Sequence, residues 1–260
     1  MKSKYKTFWW LISSFSILSI IKVMYYQFLK TIHMLNYYKT FRVTFKHEGE
    51  TMRFILRYNG DDFAILRGTF MSKVYDMNIG EVKTIIDAGS HIGCVAIYYA
   101  KKYPGAKILC FEPDHESYMN SMINAYFNKV DLDIWNCGIS DKTGVVKFNK
   151  NVRNPSYSLV DENGTETIAV TSLDEVIADK ELEQIDILKL DIEGHEPQAF
   201  VGMANSKDKI KHILLENHSA YYSLEKIKEV IEENGYNILP ELPIWEELYG
   251  EKNAMFLLKK

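Results

Sequence analysis

Four acidic side chains stand at the ends of apolar runs in this sequence. Asp87 follows Thr84-Ile85-Ile86, Glu112 follows Ile108 to Phe111, Asp191 follows Ile187 to Leu190, and Glu216 follows Ile213 to Leu215. In an open parallel sheet, ligands bind beyond the carboxyl ends of the strands, so these acids describe one working edge. Carboxylates gathered there need a ligand, a metal or hydrogen bonds to offset their charge; solvated strand ends and helix caps are the plainer alternative. A carboxylate also has acceptor sites for both hydroxyls of a ribose, which suits Glu112 at the second of these ends. Lys189 and Asp191 share a strand face, because strand side chains repeat every two residues. A lysine and an acid can then address one reaction centre, with Glu193, His195 and His218 as further proton carriers. Lys189 equally fits a salt bridge within the sheet, and His195 a surface position on a helix's first turn.

The elements that must hold these groups are readable. Asp87-Ala88-Gly89-Ser90-His91-Ile92-Gly93 joins a buried strand to a helix over Cys94 to Tyr103, which the Pro104-Gly105 pair stops. Lys107 to Phe111 is the next strand, giving the strand–turn–helix–strand–acid unit of nucleotide binders. The spacing is D-x-G-x-x-x-G and departs from the G-x-G-x-x-G of dinucleotide enzymes. His91 stands where a middle glycine would, and histidine tolerates left-handed backbone. Nicotinamide dinucleotides remain the rival ligand, since this half of the fold is shared. Residues 115–128 read as a helix and 133–137 as a third parallel strand. Val145 to Phe148 and Thr167 to Val170 read as extra strands around a polar loop, 151–164. A helix over Ser223 to Asn234 stops at Gly235, and Tyr236 to Leu239 and Ala254 to Leu258 are the last strands. Upstream, residues 51–75 suggest a strand pair turning at Tyr58-Asn59-Gly60-Asp61, then a short helix.

These residues resemble the FkbM-type methyltransferases, within the Rossmann-like S-adenosylmethionine-dependent enzymes. The resemblance rests on D-A-G-S-H-I-G at 87–93, F-E-P at 111–113, and Asn120, Asn124 and Asn128. It continues through Ile139-Ser140-Asp141 with Gly144, Thr171-Ser172-Leu173-Asp174, K-L-D-I-E-G-H-E at 189–196, and Leu215-Glu216. Arg57, Asp61 and Tyr75 look like the family's lead-in, so the likeness covers about residues 50–260. It implies S-adenosyl-L-methionine as cofactor, with Gly89, Ser90, His91 and Gly93 beside its amino-acid and ribose portions. Asp87 is then expected to orient that turn, Glu112 to hold the ribose, and Ser140 and Asp141 to meet the adenine edge. The expected fold is α/β: a Rossmann-like seven-stranded, mainly parallel sheet with helices on both faces and an N-terminal apolar helix. The resemblance adds an antiparallel last strand.

Asp191, Glu193, Lys189, His195 and His218 are the expected catalytic set. Methyl transfer from a sulfonium is an in-line displacement, so alignment and removal of a proton are what the protein supplies. The D-I-E-G block lacks the D/N-P-P-aromatic signature that grips an amino group, which favours oxygen as acceptor. The resemblance points to hydroxyls of sugars, lipid-linked glycans or small natural products. Asp191, Glu193, Glu216 and His218 offer a divalent-metal alternative whose spacing defines no site, so the expected metal set is none.

Composition suits a globular enzyme: 47% of residues are hydrophobic and 25% charged. Cys94, Cys110 and Cys137 show no metal spacing and read as buried free thiols of a reducing, cytoplasmic compartment. Residues 1–46 carry eight basic residues and no acid, leaving 23 basic against 35 acidic residues beyond them. The acidic part argues against an RNA ribose methyltransferase, because phosphate backbones require clustered basic contacts; a non-catalytic tethered module is a further alternative. The same arm is apolar from Phe8 to Ile21, with Trp9-Trp10 and flanking lysines. It fits a helix packed on the core, one lying on an anionic membrane, or one spanning it past Lys22. No small-residue cleavage site follows the run, which argues against a signal peptide. The expected divisions are an arm at 1–46, lead-in strands and a short helix at 47–79, and the methyltransferase domain at 80–260. A chain starting near Phe45 is then expected to keep the cofactor site.

Overall fold

The computed structural model describes residues 2–36, 39–59, 61–72, 74–77, 79–150, 159–160, 163–218, 223–239 and 253–260. At its centre, strands β3 (Thr84–Ala88) and β10 (Ile185–Leu190) run parallel, with Ile187 opposite Ile85 and Leu190 opposite Ala88. Their residues are buried on both faces because helices cover both, and Asp87, Asp186 and Lys189 are the charged exceptions to an otherwise mainly apolar pair. From β3 the sheet grows one way through β4 (Lys107–Phe111) and β5 (Asp133–Trp135). From β10 it grows the other way through β11 (Ile210–His218), β13 (Asn253–Lys259) and β12 (Asn237–Leu239). Of these seven strands only β13 runs against its neighbours, which is the expected reversal. The strand order reverses direction between β3 and β10, where a sheet of this kind opens its ligand crevice.

One core lies beneath α4 (Cys94–Lys102) and extends into the N-terminal layer; Ile85, Cys110 and Leu214 belong to it. The second lies beneath α6 (Leu173–Asp179), α7 (Glu196–Val201) and α8 (Leu224–Glu233), with Ile86, Leu188 and Leu215 facing them. Helix α5 (His115–Asn128) starts on Asp114, whose carboxylate accepts from the Ser117 amide at 2.9 Å, the usual way to satisfy an open helix end. The three cysteines are buried and free. The extra strands form a separate four-stranded sheet in the order β6-β9-β7-β8, made of Gly138–Ser140, Glu166–Ser172, Gly144–Asn149 and Leu159–Val160. Most of the polar loop at 151–164 lies outside the described residues.

The N-terminal expectation needs correction. The arm is two helices, α1 (Lys2–Ser14) and α2 (Ile17–Thr31), in place of one. They break where the Phe15 backbone bridges to Phe45 and the Ser16 amide donates to Thr44 O at 3.0 Å. Ser16 then caps α2 through the Ser19 amide. Strand β1 (Thr40–His47) pairs with β2 (Glu50–Arg57) in a hairpin that turns at Glu48-Gly49, so a boundary at 46 cuts a strand. The Tyr58 to Asp61 stretch instead leads from β2 into α3 (Asp62–Met71); Gly60 lies outside the described residues. Val23, Tyr26, Phe41 and Val43 are buried in the main core, so a chain starting near Phe45 loses half of β1 and the layer above it. Among the described residues no helix is long and apolar enough to cross a membrane.

Candidate active site

The turn after β3 is built by close approach. Gly89 has φ +79, and a Cβ there would fall 1.8 Å from the Asp191 carbonyl oxygen, so only glycine lets the ends of β3 and β10 meet. Gly93 is likewise left-handed, with a Cβ meeting Ser121 at 3.2 Å. Both glycines are therefore required by protein packed against protein, a different reason from the ligand approach expected of them. His91 holds φ 48 and completes the turn, as its type allows. The turn is pinned by the Gly89 and Ser90 amides, which donate to Phe111 O at 2.9 and 3.1 Å.

Glu112 ends β4 as a buried carboxylate that accepts from the His91 amide and the Asp114 amide, each at 2.8 Å. Burial pushes its pKa up to about 7 against the pull of those amides. Each oxygen uses one lone-pair site on a backbone N–H and keeps a second for another donor. The Ser90 hydroxyl and His91 Nδ1 are buried without a hydrogen-bond partner, so the turn presents unspent polar groups beside that acid.

Beneath the turn lies a polar network that sequence reading only half anticipated. Arg57, at the end of β2, pairs with Asp62 at 2.9 Å and reaches His91 Nε2 at 2.9 Å and Ser117 Oγ at 3.1 Å. The resemblance pointed to Arg57 with Asp61, but the partner is Asp62, fully buried at the first position of α3. Asn59 fastens the acid by donating Nδ2 to Asp62 Oδ1 at 2.7 Å, and Tyr26 of α2 donates its hydroxyl to Asn59 O at 2.7 Å. Burial opposes the Asp62 charge, but Arg57 outweighs it and holds the carboxyl below its usual range. Burial lowers His91 to about 4, leaving it neutral at pH 7. A neutral His91 accepting from Arg57 at Nε2 carries its proton on Nδ1, the unpartnered nitrogen.

Lys189 is buried at the switch between the two halves. Its ammonium lies 3.1 Å from Asp87 and 3.2 Å from Asp191 and donates to Gly89 O at 2.9 Å. Burial opposes that charge, but Asp191 and Asp87 hold its pKa well above the ordinary lysine value. Lys189 therefore ties the turn to β10 and links it to Asp87. Asp87 itself is fully buried, its pKa pushed up by burial against the lysine's pull.

Asp191, Glu193 and His218 come together as expected. His218 Nε2 lies 3.5 Å from Glu193 Oε2 and 3.6 Å from Asp191 Oδ1, with Glu216 at 4.0 Å. Glu196 fixes the ring by accepting from Nδ1 at 3.0 Å, a partner that sequence reading quoted within its motif but gave no role. Burial opposes the His218 charge, yet the Glu196 bond and the Glu193 and Asp191 carboxylates hold its pKa up at about 10. Burial lifts Glu193 well above the carboxylate range, against His218 and helped by the acids around it. Asp191 moves the other way: burial would raise it, but Lys189 and His218 keep it ionised. Asp191, Glu193 and His218 offer ligand atoms within 4.8 Å of one another, a spacing open to a cation, though here they pair among themselves and with Glu196.

His195 stands elsewhere. As the residue before α7, it meets Ser140 Oγ at 2.9 Å through Nε2, and Ser140 donates to Asp141 Oδ1 at 3.0 Å. The structure thus joins one expected catalytic residue to two expected adenine-edge residues. Burial lowers its pKa, which suits a neutral link between elements.

Residues 87–238, more than half of the chain, match the Methyltransferase FkbM domain, and the chain belongs to that family. It is similar to the methyltransferase sdnD of Sordaria araneosa, 25% identical over 218 residues that cover 70% of this chain and 84% of that protein. It is similar to the hexuronic acid methyltransferase AglP of Haloferax volcanii, 27% identical over 51% of this chain and 55% of that one. A third relative is the 31-O-demethyl-FK506 methyltransferase FkbM of Streptomyces tacrolimicus, 21% identical over 70% of this chain and 84% of its own length. The chain is a methyltransferase, and its family implies S-adenosylmethionine as cofactor. The site fits that cofactor: Glu112 retains acceptor capacity, and Ser90 Oγ and His91 Nδ1 are buried polar atoms awaiting partners.

Proposed function

We propose that this enzyme methylates a hydroxyl oxygen of a sugar, glycan or small natural product. The observation that carries the reading is an ionised Asp191 whose backbone touches the cofactor turn and whose carboxylate is gripped by Lys189. The cofactor supplies an electrophilic methyl group on a sulfonium. Glu112 binds ribose hydroxyls, and the Ser90 hydroxyl and His91 Nδ1 donate to the cofactor's polar atoms. Ser140 and Asp141, braced by His195, border the adenine. An alcohol oxygen that attacks a methyl group becomes a strongly acidic oxonium, so a carboxylate with a low pKa suffices to take its proton. Asp191 accepts that proton. Lys189 holds Asp191 and the turn in register, while His218 and Glu193 set the charge around it. Two relatives, a hexuronic acid methyltransferase and a 31-O-demethyl-FK506 methyltransferase, support a carbohydrate or natural-product acceptor.

The test incubates the protein, in excess EDTA, with methyl-labelled S-adenosylmethionine and a panel of glycosides, polyol natural products, amines and RNA. Label recovered as a methyl ether on a carbohydrate or natural product supports the reading. Label confined to nitrogen or RNA overturns it, and turnover only after added divalent cation replaces proton transfer to Asp191 with metal activation. Calorimetry with S-adenosylmethionine and with NAD checks the cofactor separately; heat with NAD alone removes the methyltransferase reading.

A further inference from the structure

The exposed apolar side chains of this protein are not evenly spread. Among the described residues, eleven of the twenty large hydrophobic residues with exposed surface lie between Phe8 and Met34. The most exposed are Ile17 at 79%, Met34 at 66% and Trp9 at 65%. Ile17, Ile21, Met24 and Phe28 recur at three- and four-residue spacing and so form one exposed stripe along α2, the kind of apolar surface that marks an interaction site. The inner side is occupied by protein: Val23 and Tyr26 of α2 and Phe15 at the break are buried in the core, Ser19 Oγ accepts from the Thr44 amide at 2.7 Å, and Trp10 and Leu11 of α1 are partly buried against the same core. The helices therefore lie flat on the hairpin, with their outer face turned away from the protein.

Charge decides what covers that face. Residues 1–46 hold no acid, and Lys6 of α1, Lys30 of α2, Lys39 and Lys46 are exposed on the same N-terminal segment. Two copies meeting through these faces would bring two basic surfaces together. A lipid surface offers apolar chains beneath anionic headgroups, which matches an apolar stripe on a segment with exposed lysines. Trp9 adds an amphipathic ring suited to the headgroup level. The helices, 13 and 15 residues long, are too short to span and are packed along one side, so they lie in the interface.

We infer that the outer face of α1 and α2 docks the enzyme onto an anionic lipid bilayer as a monotopic surface. The catalytic domain then works beside the headgroups, and lipid-linked acceptors come within its reach.

The test is flotation of the full-length protein with vesicles of phosphatidylcholine alone and of phosphatidylcholine with phosphatidylglycerol. The protein is expected to float with the anionic vesicles and to leave them as salt rises. A variant carrying Trp9→Ser, Ile17→Ser, Leu18→Ser and Met24→Ser changes only exposed side chains, so its melting temperature and S-adenosylmethionine affinity should match the parent. Its partitioning should fall at least about tenfold. A milder Lys6→Gln, Lys30→Gln, Lys46→Gln variant should lose the preference for anionic lipid while keeping the fold. Equal flotation of parent and serine variant overturns the proposal, as does a parent that never floats. A parent that is dimeric by light scattering, with a monomeric serine variant and no flotation, assigns the face to a second copy instead. S-Adenosylmethionine binding is read in every case, so failure here leaves the enzymatic reading standing.

Discussion

The two sides of the crevice are made in different ways. On the side proposed to hold the cofactor, backbone does the positioning: the Gly89, Ser90 and His91 amides tie the turn to β4 and Glu112, and Gly89 admits the end of β10. On the side proposed to meet the acceptor, titratable side chains position one another, with Lys189, His218 and Glu196 holding Asp191 and Glu193. Backbone bonds do not change with protonation, whereas a cluster of coupled charges does. The first side is built for a ligand of fixed shape. The second can respond to a proton gained or lost.

The largest expected effect separates the two sides directly. Asp191→Asn removes the proposed proton acceptor while preserving size, so turnover should fall about 10²–10⁴-fold. Calorimetry should show S-adenosylmethionine affinity within a few-fold of the parent. Equal loss of binding and turnover would merge the two sides into one.

Next comes the buried support under the cofactor turn. Arg57→Ala leaves Asp62 buried without its counter-charge and should cost about 3–5 kcal/mol in a urea melt. Arg57 lies outside the matched family segment, so a melt unchanged by this substitution would confine the site to that segment.

The smallest effect is titrational. Glu112 has its pKa raised to about 7, so the apo-enzyme is mostly protonated there at pH 6 and mostly ionised at pH 8. Ribose hydroxyls donate to the ionised form, so S-adenosylmethionine should bind about tenfold more tightly at pH 8 than at pH 6. Glu112→Gln should weaken binding by about 1–3 kcal/mol at pH 8 and flatten that slope. An unchanged slope in the variant would move the titration to another group.

The sheet was readable because buried parallel strands leave continuous apolar runs, and the acids that close them mark its carboxyl edge. Asp191, Glu193 and His218 were found together for the same reason: each follows one of those runs. The Arg57–Asp62–His91 network was not readable in its particulars, since it joins an edge hairpin, a helix start and a turn that no period links. The asparagines were a visible signal without a visible reason. In the structure, Asn124 Oδ1 accepts from the Ile55 amide at 2.7 Å and Asn128 Oδ1 from the Arg53 amide at 2.9 Å. The N-terminal arm stayed open among three readings because local apolarity looks alike on a lipid-facing and a core-facing helix; the structure packs one face of α2 into the core and leaves Ile17, Leu18 and Met24 exposed.

Those two asparagines also set a timetable. They cover the free edge of β2 with side chains that lie 69 and 75 residues further along the chain. During synthesis at about 5–20 residues per second, that edge waits roughly 4–15 s before α5 emerges to cap it. An uncovered strand edge beside an apolar helical face is a template for pairing with other nascent chains. The N-terminal layer is therefore the part of this protein whose yield should respond most to translation speed, to temperature and to chaperones that shield hydrophobic segments.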